Sequence, residues 1–262
     1  MKYSIIIPVY NKANTIAESI YSILNQTEQD YEIIVINDGS IDNIHEVLKS
    51  FPTIQLIDQD NGGVSIARNA GILAAKGDYI CFLDADDLWL PNHLEELSTL
   101  INEFPLAGMF VTSHIETNQS GEIYHSSKNF LKFAKRFICA NLFELLNNLS
   151  YDIVHTNSMC VDRKIFYEKN IWFEPGEKIG EDTDVWYRIA LDYSVAISQV
   201  ETTVYRRENS SATINGNNSP TWIFARRWES INAGCYSEAK KIECRKLIDR
   251  YKMAISRDYI LL

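Results

Sequence analysis

Four short, nearly continuous apolar runs punctuate the first third of the chain: Ser4 to Val9 (SIIIPV), Ile33 to Ile36 (IIVI), Ile54 to Ile57 (IQLI) and Tyr79 to Leu83 (YICFL). A strand with one face in water alternates apolar and polar residues. These runs do not, so each reads as a strand buried on both faces. Between them lie segments with helical spacing. Ile16, Ile20, Ile23 and Leu24 follow an i, i+4, i+7, i+8 stripe, Val47 and Leu48 close a stretch opened by Asp42, and Val64 to Ala75 makes a third. Strand–helix alternation with short connections predicts βαβ units and a parallel sheet. Right-handed crossovers then bring the carboxyl ends of the strands to one edge.

The rhythm breaks near residue 105. Pro91 to Phe104 reads as a helix opened by proline, Met109 to Ile115 as a strand, and Asn129 to Asn148 as an aromatic-rich helix. His155 to Val161 reads as a strand, Thr183 to Leu191 as a helix, Val195 to Tyr205 as one or two strands, and Asn209 to Pro220 as a loop rich in turn formers. From Trp222 the pattern is helical and mixed in charge. The expected organisation is a ligand-binding half over 1–105, an irregular half of the same domain over 106–221, and a helical extension over 222–262.

With 46% hydrophobic residues there is ample material for a core, which excludes disorder over most of the chain. Lys and Arg number 25 against 35 Asp and Glu, a net charge of −10. A nucleic-acid partner is therefore not expected, because phosphate neutralisation dominates that affinity. An acidic protein that takes a polyanionic small molecule needs a local device: a metal ion, a helix N-terminus or a placed arginine. No apolar stretch reaches membrane-spanning length, the N-terminus does not read as a signal peptide, and the five scattered cysteines lack metal-site spacing. A cytoplasmic location is expected.

Ligands of parallel sheets bind beyond the strand carboxyl ends. Tyr10 and Asn11 follow the first strand, Asn37-Asp38-Gly39-Ser40 the second, and Asp84-Ala85-Asp86-Asp87 the fourth. Two carboxylates at i, i+2 in a turn can converge on a hard divalent cation such as Mg²⁺ or Mn²⁺. An isolated D-x-D is more often a backbone-capping turn, but its place after a buried strand favours a ligand. Asp38 is either the cap of the next helix or an acceptor for a base or ribose. The glycines of Asn61-Gly62-Gly63 let a ligand approach the backbone, and Arg68 either serves a phosphate or base or is simply solvated. Gly180-Glu181-Asp182-Thr183-Asp184 opens a helix. Spacing alone favours Asp182 as its cap, and the alternative is a general base whose pKa is raised beside Trp186.

The segments SIIIPVYNK (4–12), IIVINDGSID (33–42), NGGVSIARNAG (61–71), GDYICFLDADD (77–87) and GEDTDVWYR (180–188), taken together, resemble the family-2 glycosyltransferases of GT-A fold. The resemblance implies an α/β, GT-A-like, mainly parallel nucleotide-binding sheet flanked by helices, with an irregular acceptor-side half and C-terminal helices. It implies inverting, metal-dependent transfer of a hexosyl or N-acetylhexosaminyl group from a nucleotide-diphosphate donor, a UDP-sugar, to a hydroxyl of a saccharide or lipid-linked saccharide. A role in cell-surface polysaccharide or glycoconjugate synthesis follows. By matching position, Pro8 and Tyr10 would line the base pocket, Asp38 would bond the base with Arg68 nearby, and Asp84 would meet the ribose and the metal. Asp86 would ligate Mn²⁺ or Mg²⁺, and Asp182 would be the base. Relatives often carry His two residues after the arginine matching Arg206, where this chain has Glu208.

A nucleotidyltransferase would show a Gly-rich basic loop after the first strand, where this chain has Tyr10-Asn11-Lys12. A non-catalytic sugar-nucleotide binder would not need both Asp86 and Asp182. The tail from Ala239 to Leu262 carries Leu247, Ile248, Tyr251 and Ile255 among many Lys and Arg residues. Such a helix either packs on the domain or lies on the inner face of an anionic membrane as a peripheral contact.

Overall fold

In a computed structural model, which describes residues 3–118, 122–125, 133–149, 153–177, 180–206, 223–230 and 236–260, the four apolar runs are strands. They form β1 (Tyr3–Val9), β2 (Tyr31–Asp38), β3 (Gln55–Gln59) and β4 (Tyr79–Phe82), joined by α1 (Ile16–Leu24), α2 (Ile44–Leu48) and α3 (Val64–Ala74). β1 pairs in parallel with both β2 and β4, and β2 with β3. Successive side chains enter opposite layers. Ile6, Ile34, Ile36, Ile80 and Phe82 pack in one core, and Ile5, Ile7, Ile33, Val35, Cys81 and Leu83 in the other. That double burial is why the runs of β1, β2 and β4 do not alternate. β3, expected to be buried on both faces, is instead the edge strand, with Gln55 and Asp58 exposed and Leu56 and Ile57 half-buried.

The second half continues the same sheet. Its elements are β5 (Leu88–Trp89), α4 (His93–Glu103), β6 (Met109–Thr117), β7 (Ile123–His125), β8 (Arg136–Cys139), α5 (Leu142–Asn148), a 3-10 turn (Thr156–Ser158), β9 (Met159–Asp162), α6 (Arg163–Glu168), α7 (Glu181–Asp192), β10 (Val195–Arg206), α8 (Ile223–Ser230) and α9 (Glu238–Ile260). The strand order is β3-β2-β1-β4-β9-β6-β10-β5, with β7 on β6 and β8 on β10. β9 runs antiparallel to both β4 and β6, while β10 is parallel to β6. The residues just before β9 therefore share an edge with those just after β1, β4, β6 and β10.

Several expected elements differ. Of Asn129 to Asn148, residues 129–132 lie outside the described residues; among the rest, Arg136–Cys139 is a strand and Leu142–Asn148 is helical. Pairing with Val195–Ser198 of β10, plus a bidentate Arg136–Glu96 contact (2.6 and 2.8 Å), overrides the helical spacing there. His155 to Val161 splits into the 3-10 turn and β9. Pro91 stands outside α4, whose N-cap is Asn92. The loop expected over Asn209 to Pro220, and Glu208, lie outside the described residues.

The sheet edge is braced before any ligand arrives. β2 and β4 lie on opposite sides of β1, so the crevice between the ends of β1 and β4 is a topological switch point. Asn11 takes a left-handed backbone (φ 53°), which asparagine tolerates, and its amide donates to Ser40 Oγ (3.0 Å). The Ile41 amide donates to Asn11 Oδ1 (2.8 Å) and the Ala13 amide to Asp42 Oδ2 (2.8 Å). The loops after β1 and β2 are thus cross-linked.

The first half of α9 packs on the domain. Cys244, Leu247 and Ile248 are buried in the core that includes α5, Lys240 Nζ donates to the Leu191 carbonyl, and Arg250 Nη1 donates to the carbonyls of Leu146 and Leu149. The two cations cap the C-termini of α7 and α5. Leu247 and Ile248 are accordingly core residues, and packing is the observed state of α9 at these positions. No helix among the described residues is long and apolar enough to cross a membrane.

α3 approaches β1 so closely that a Cβ on Gly71 would lie 2.4 Å from Ile6 Cγ2. Gly71→Ala is expected to cost about 1–3 kcal/mol by overpacking. In urea titrations the double variant Gly71→Ala/Ile6→Ala should lose less stability than the sum of the single variants. Additive losses would mean that α3 is held off β1 by something else.

Candidate active site

Asp38 ends β2 buried, and three donors hold it: Gln59 Nε2 (2.6 Å) and the Gly62 amide (2.9 Å) on Oδ1, and the Gly63 amide (2.8 Å) on Oδ2. It does not cap α2, whose N-cap is Asn43. Its carboxylate instead shapes the Asn61-Gly62-Gly63 loop, where Gly63 sits at φ 88°. Pro8 is buried in β1 opposite Ile36, while Tyr10, just beyond the strand, is 48% exposed.

The Asp84–Asp87 turn is held from the second half of the chain. The Asp84 amide donates to Asn157 Oδ1 (2.8 Å), and Asn157 Nδ2 donates to Asp87 Oδ2. The Arg206 amide donates to Asp87 Oδ1 (2.8 Å), and its guanidinium bonds the Asp86 carbonyl and Glu18. Burial, followed by the charge of Asp84, pushes the Asp87 carboxyl well above the usual carboxylate range. With Asp87 tied down inside, the Asp84 and Asp86 side chains stay partly exposed (31% and 18%). Asp86 Oδ2 accepts from Lys12 Nζ at 2.6 Å.

Arg68 joins the halves. It is 4% exposed, and it donates through Nη2 to Asp84 Oδ1 and through Nη1 to Glu181 Oε1, both at 3.0 Å. Its guanidinium lies 5.3 Å from the Phe173 ring centroid. Burial disfavours its charge, but Asp84, Glu181 and Asp182 more than compensate. The solvated reading of Arg68 is therefore excluded.

Asp182 stands beside this clamp in the first turn of α7. Gly180, in left-handed conformation (φ 74°), occupies the N-cap, so Asp182 is not the cap. Thr156 Oγ1 donates to its Oδ2 (2.7 Å) and the Thr183 amide to its Oδ1 (2.6 Å). Burial favours its neutral form, but Arg68, Thr156, the Thr183 amide and His155 outweigh burial and hold the carboxyl below the ordinary aspartate value. The expectation of a raised pKa beside Trp186 is thus corrected. Trp186 lies in the core against Phe82 and Phe173, and the raised group is Glu181, through burial and then Asp182. Asp182 is ionised at neutral pH, the form that can take a proton. Burial, then His114, pushes the His155 imidazole down to about 4, so this ring is neutral there. It packs between His114 (4.9 Å) and Tyr205 (4.6 Å).

Among the described residues no three His, Cys, Asp or Glu side chains gather as a metal cage. A Mg²⁺ or Mn²⁺ shared with a diphosphate needs only one or two carboxylates, the remaining ligands being phosphate and water. Asp86, with Asp84 nearby in the same turn, is a donor set of that kind, and Asp86 Oδ2 already faces a cation in Lys12. The residues fit such an ion. Thr156, Asn157 and His155 had no motif to announce them, and their only signal was position, just before β9. Lys12 closes the segment SIIIPVYNK, three residues after β1, but the segment gave it no role.

Residues 4–166 match the family model described as Glycosyl transferase family 2. The chain is 32% identical over 214 residues to an uncharacterized glycosyltransferase of Rickettsia typhi, covering 81% of this chain and 65% of that protein. It is 36% identical over 137 residues to the chondroitin synthase of Pasteurella multocida, covering 50% of this chain and 14% of the synthase. The chain thus spans under two thirds of these relatives. A crystal structure of Staphylococcus aureus TarS residues 1–349 in complex with UDP-GlcNAc superimposes with a TM-score of 0.74 at 19% identity, over 94% of this chain and 70% of that one. The expected GT-A architecture is borne out by that likeness, in a mixed α/β sheet with flanking helices. With this architecture, and with a family match that runs from β1 through the aspartate turn to β9, the chain belongs to the glycosyl transferase family 2.

Proposed function

We propose that the chain is the donor-binding and catalytic part of an inverting glycosyltransferase that moves a sugar from a UDP-sugar to a hydroxyl of a saccharide or lipid-linked saccharide. The observation that carries this reading is the Arg68 clamp. One buried guanidinium ties the aspartate turn after β4 to the carboxylates at the start of α7, so both sets of groups face one crevice. In this reading residues 1–105 bind the donor, 106–221 receive the acceptor, and 222–262 brace the second half. The TarS complexes with UDP-GlcNAc and with UDP, and the name of the chondroitin synthase, support a uridine donor and a role in polysaccharide or glycoconjugate synthesis.

Tyr10 and Pro8 line the base pocket. Asp38 serves the base through the one acceptor direction left by its three donors, while Arg68 fixes Asp84 toward the ribose. Asp86, with Asp84, would hold Mn²⁺ or Mg²⁺, which when bound would supply charge neutralisation to the leaving diphosphate. Asp182 accepts the proton of the acceptor hydroxyl as its oxygen bonds the anomeric carbon on the face opposite the leaving group, as inversion requires. Thr156 and the Thr183 amide keep that carboxylate oriented. The location in this reading is cytoplasmic, with a peripheral membrane contact through the basic helical tail.

Three outcomes test the proposal. Asp182→Asn keeps shape and fold, so it should melt near wild type and bind UDP with metal, yet transfer sugar at least about 100-fold more slowly. A wild-type rate would move the base elsewhere, Glu181 being the next group. Excess EDTA or Asp86→Ala should remove most UDP-sugar turnover, measured as UDP release, and full activity in EDTA would end the metal reading. UDP with Mn²⁺ should raise the melting temperature, about 2.7 kcal/mol of stabilisation being available at 100 times Kd. GDP should do so less, and a clear preference for GDP would overturn the uracil assignment of Asp38.

A further inference from the structure

We propose that Lys12 is a resident counter-ion on Asp86 that keeps the metal position closed until a nucleotide diphosphate arrives and takes the ammonium over. The inference rests on the reading of Asp86 as a metal ligand and goes beyond it, because it assigns a new residue and an order to binding. Lys12 Nζ lies 2.6 Å from Asp86 Oδ2, a charge-assisted contact bridging the loops after β1 and β4. It spans the switch-point crevice itself, where the phosphates of a bound nucleotide are expected. A divalent cation on Asp86 would stand within a few ångströms of that ammonium, so an ion entering alone must either push Lys12 aside or bind against its charge.

The pair is built to open. Its side chains are 27% and 18% exposed, and half-exposed ion pairs are held weakly compared with buried ones. Arg68 differs in this respect, since it is almost wholly buried where it meets Asp84 and Glu181. The backbone that carries Lys12 does not need to move. The Asn11 and Ala13 amides on either side are bonded to Ser40 and Asp42, so rotation about the flexible lysine stem is enough. Once a diphosphate is in the crevice, the displaced ammonium has a second anion beside it. Metal and nucleotide then bind cooperatively, because each removes the other's obstacle, and the coupling is reciprocal.

A lysine that only binds phosphate would leave the affinity for metal alone unchanged. A resident counter-ion would lower that affinity, and this difference is the test. Mn²⁺ binding is measured on the full chain without sugar, by the loss of the free-ion paramagnetic resonance signal, with and without UDP. Wild type should bind Mn²⁺ weakly alone and at least about five-fold more tightly with UDP. Lys12→Met should bind Mn²⁺ alone roughly five-fold more tightly than wild type and lose most of the UDP enhancement. Lys12→Arg, which keeps the charge, should behave as wild type, and adding Asp86→Ala to Lys12→Met should abolish the gain. Unchanged or weaker Mn²⁺ binding by a folded Lys12→Met protein, with the UDP enhancement intact, would overturn the counter-ion role and leave the metal reading standing. Absence of Mn²⁺ binding by wild type even with UDP would overturn both. So would EDTA-insensitive UDP binding that Lys12→Met destroys, since the lysine would then be the phosphate's own cation.

Discussion

Arg68 carries a positive charge in a place almost without water, and it is stable there only because carboxylates from two distant parts of the chain surround it. Removing one partner of such a buried arrangement typically costs about 3–5 kcal/mol, since the remaining charge is stranded. The clamp therefore links three things: the seating of α3 on the sheet, the position of the aspartate turn, and the start of α7 with Glu181 and Asp182. It also divides the two acidic neighbours electrically. Burial and the charge of Asp182 move Glu181 toward its neutral form, while Asp182, held by Arg68, the Thr156 hydroxyl and the Thr183 amide, stays ionised.

Much of the first half was legible because local rules and tertiary structure agree there. β1, β2 and β4 are continuous apolar runs since both their faces are covered, and turn residues follow each strand end. In the second half the rules diverge. Arg136–Cys139 has helical spacing but pairs as a strand with β10, a partner about sixty positions away that no local window contains. The site divides in the same way. Asp38, Asp84, Asp86 and Asp182 stood in recognisable segments. What each carboxylate is bonded to was not legible, because Lys12 meets Asp86 across 74 positions, Asn157 meets Asp87 across 70, and Arg68 meets Glu181 across 113.

The direction of β9 explains why the residues around it were unannounced. Site residues of a parallel sheet are sought after strands, and β9 runs the other way, so its contribution comes from the turn that precedes it. That turn supplies Thr156 to Asp182 and Asn157 to the aspartate turn, and His155 stands beside them. A single reversed strand inserted between β4 and β6 thus lets the second half reach back to the carboxyl-end edge of β1 and β4 without a long excursion. The first turns of α9 complete this half by closing the exposed ends of α5 and α7, which accounts for apolar residues in an otherwise strongly charged tail.

The far rim of the sheet has a different character. Leu106, in the connection between α4 and β6, is 91% exposed, and β6 separates it from the crevice by nine residues of strand, about 30 Å. Every catalytic assignment lies on the opposite rim. An immobilisation tag, a fluorophore or an inserted partner domain attached at Leu106 would therefore leave the mouth of the crevice unobstructed, facing away from whatever surface the protein is fixed to.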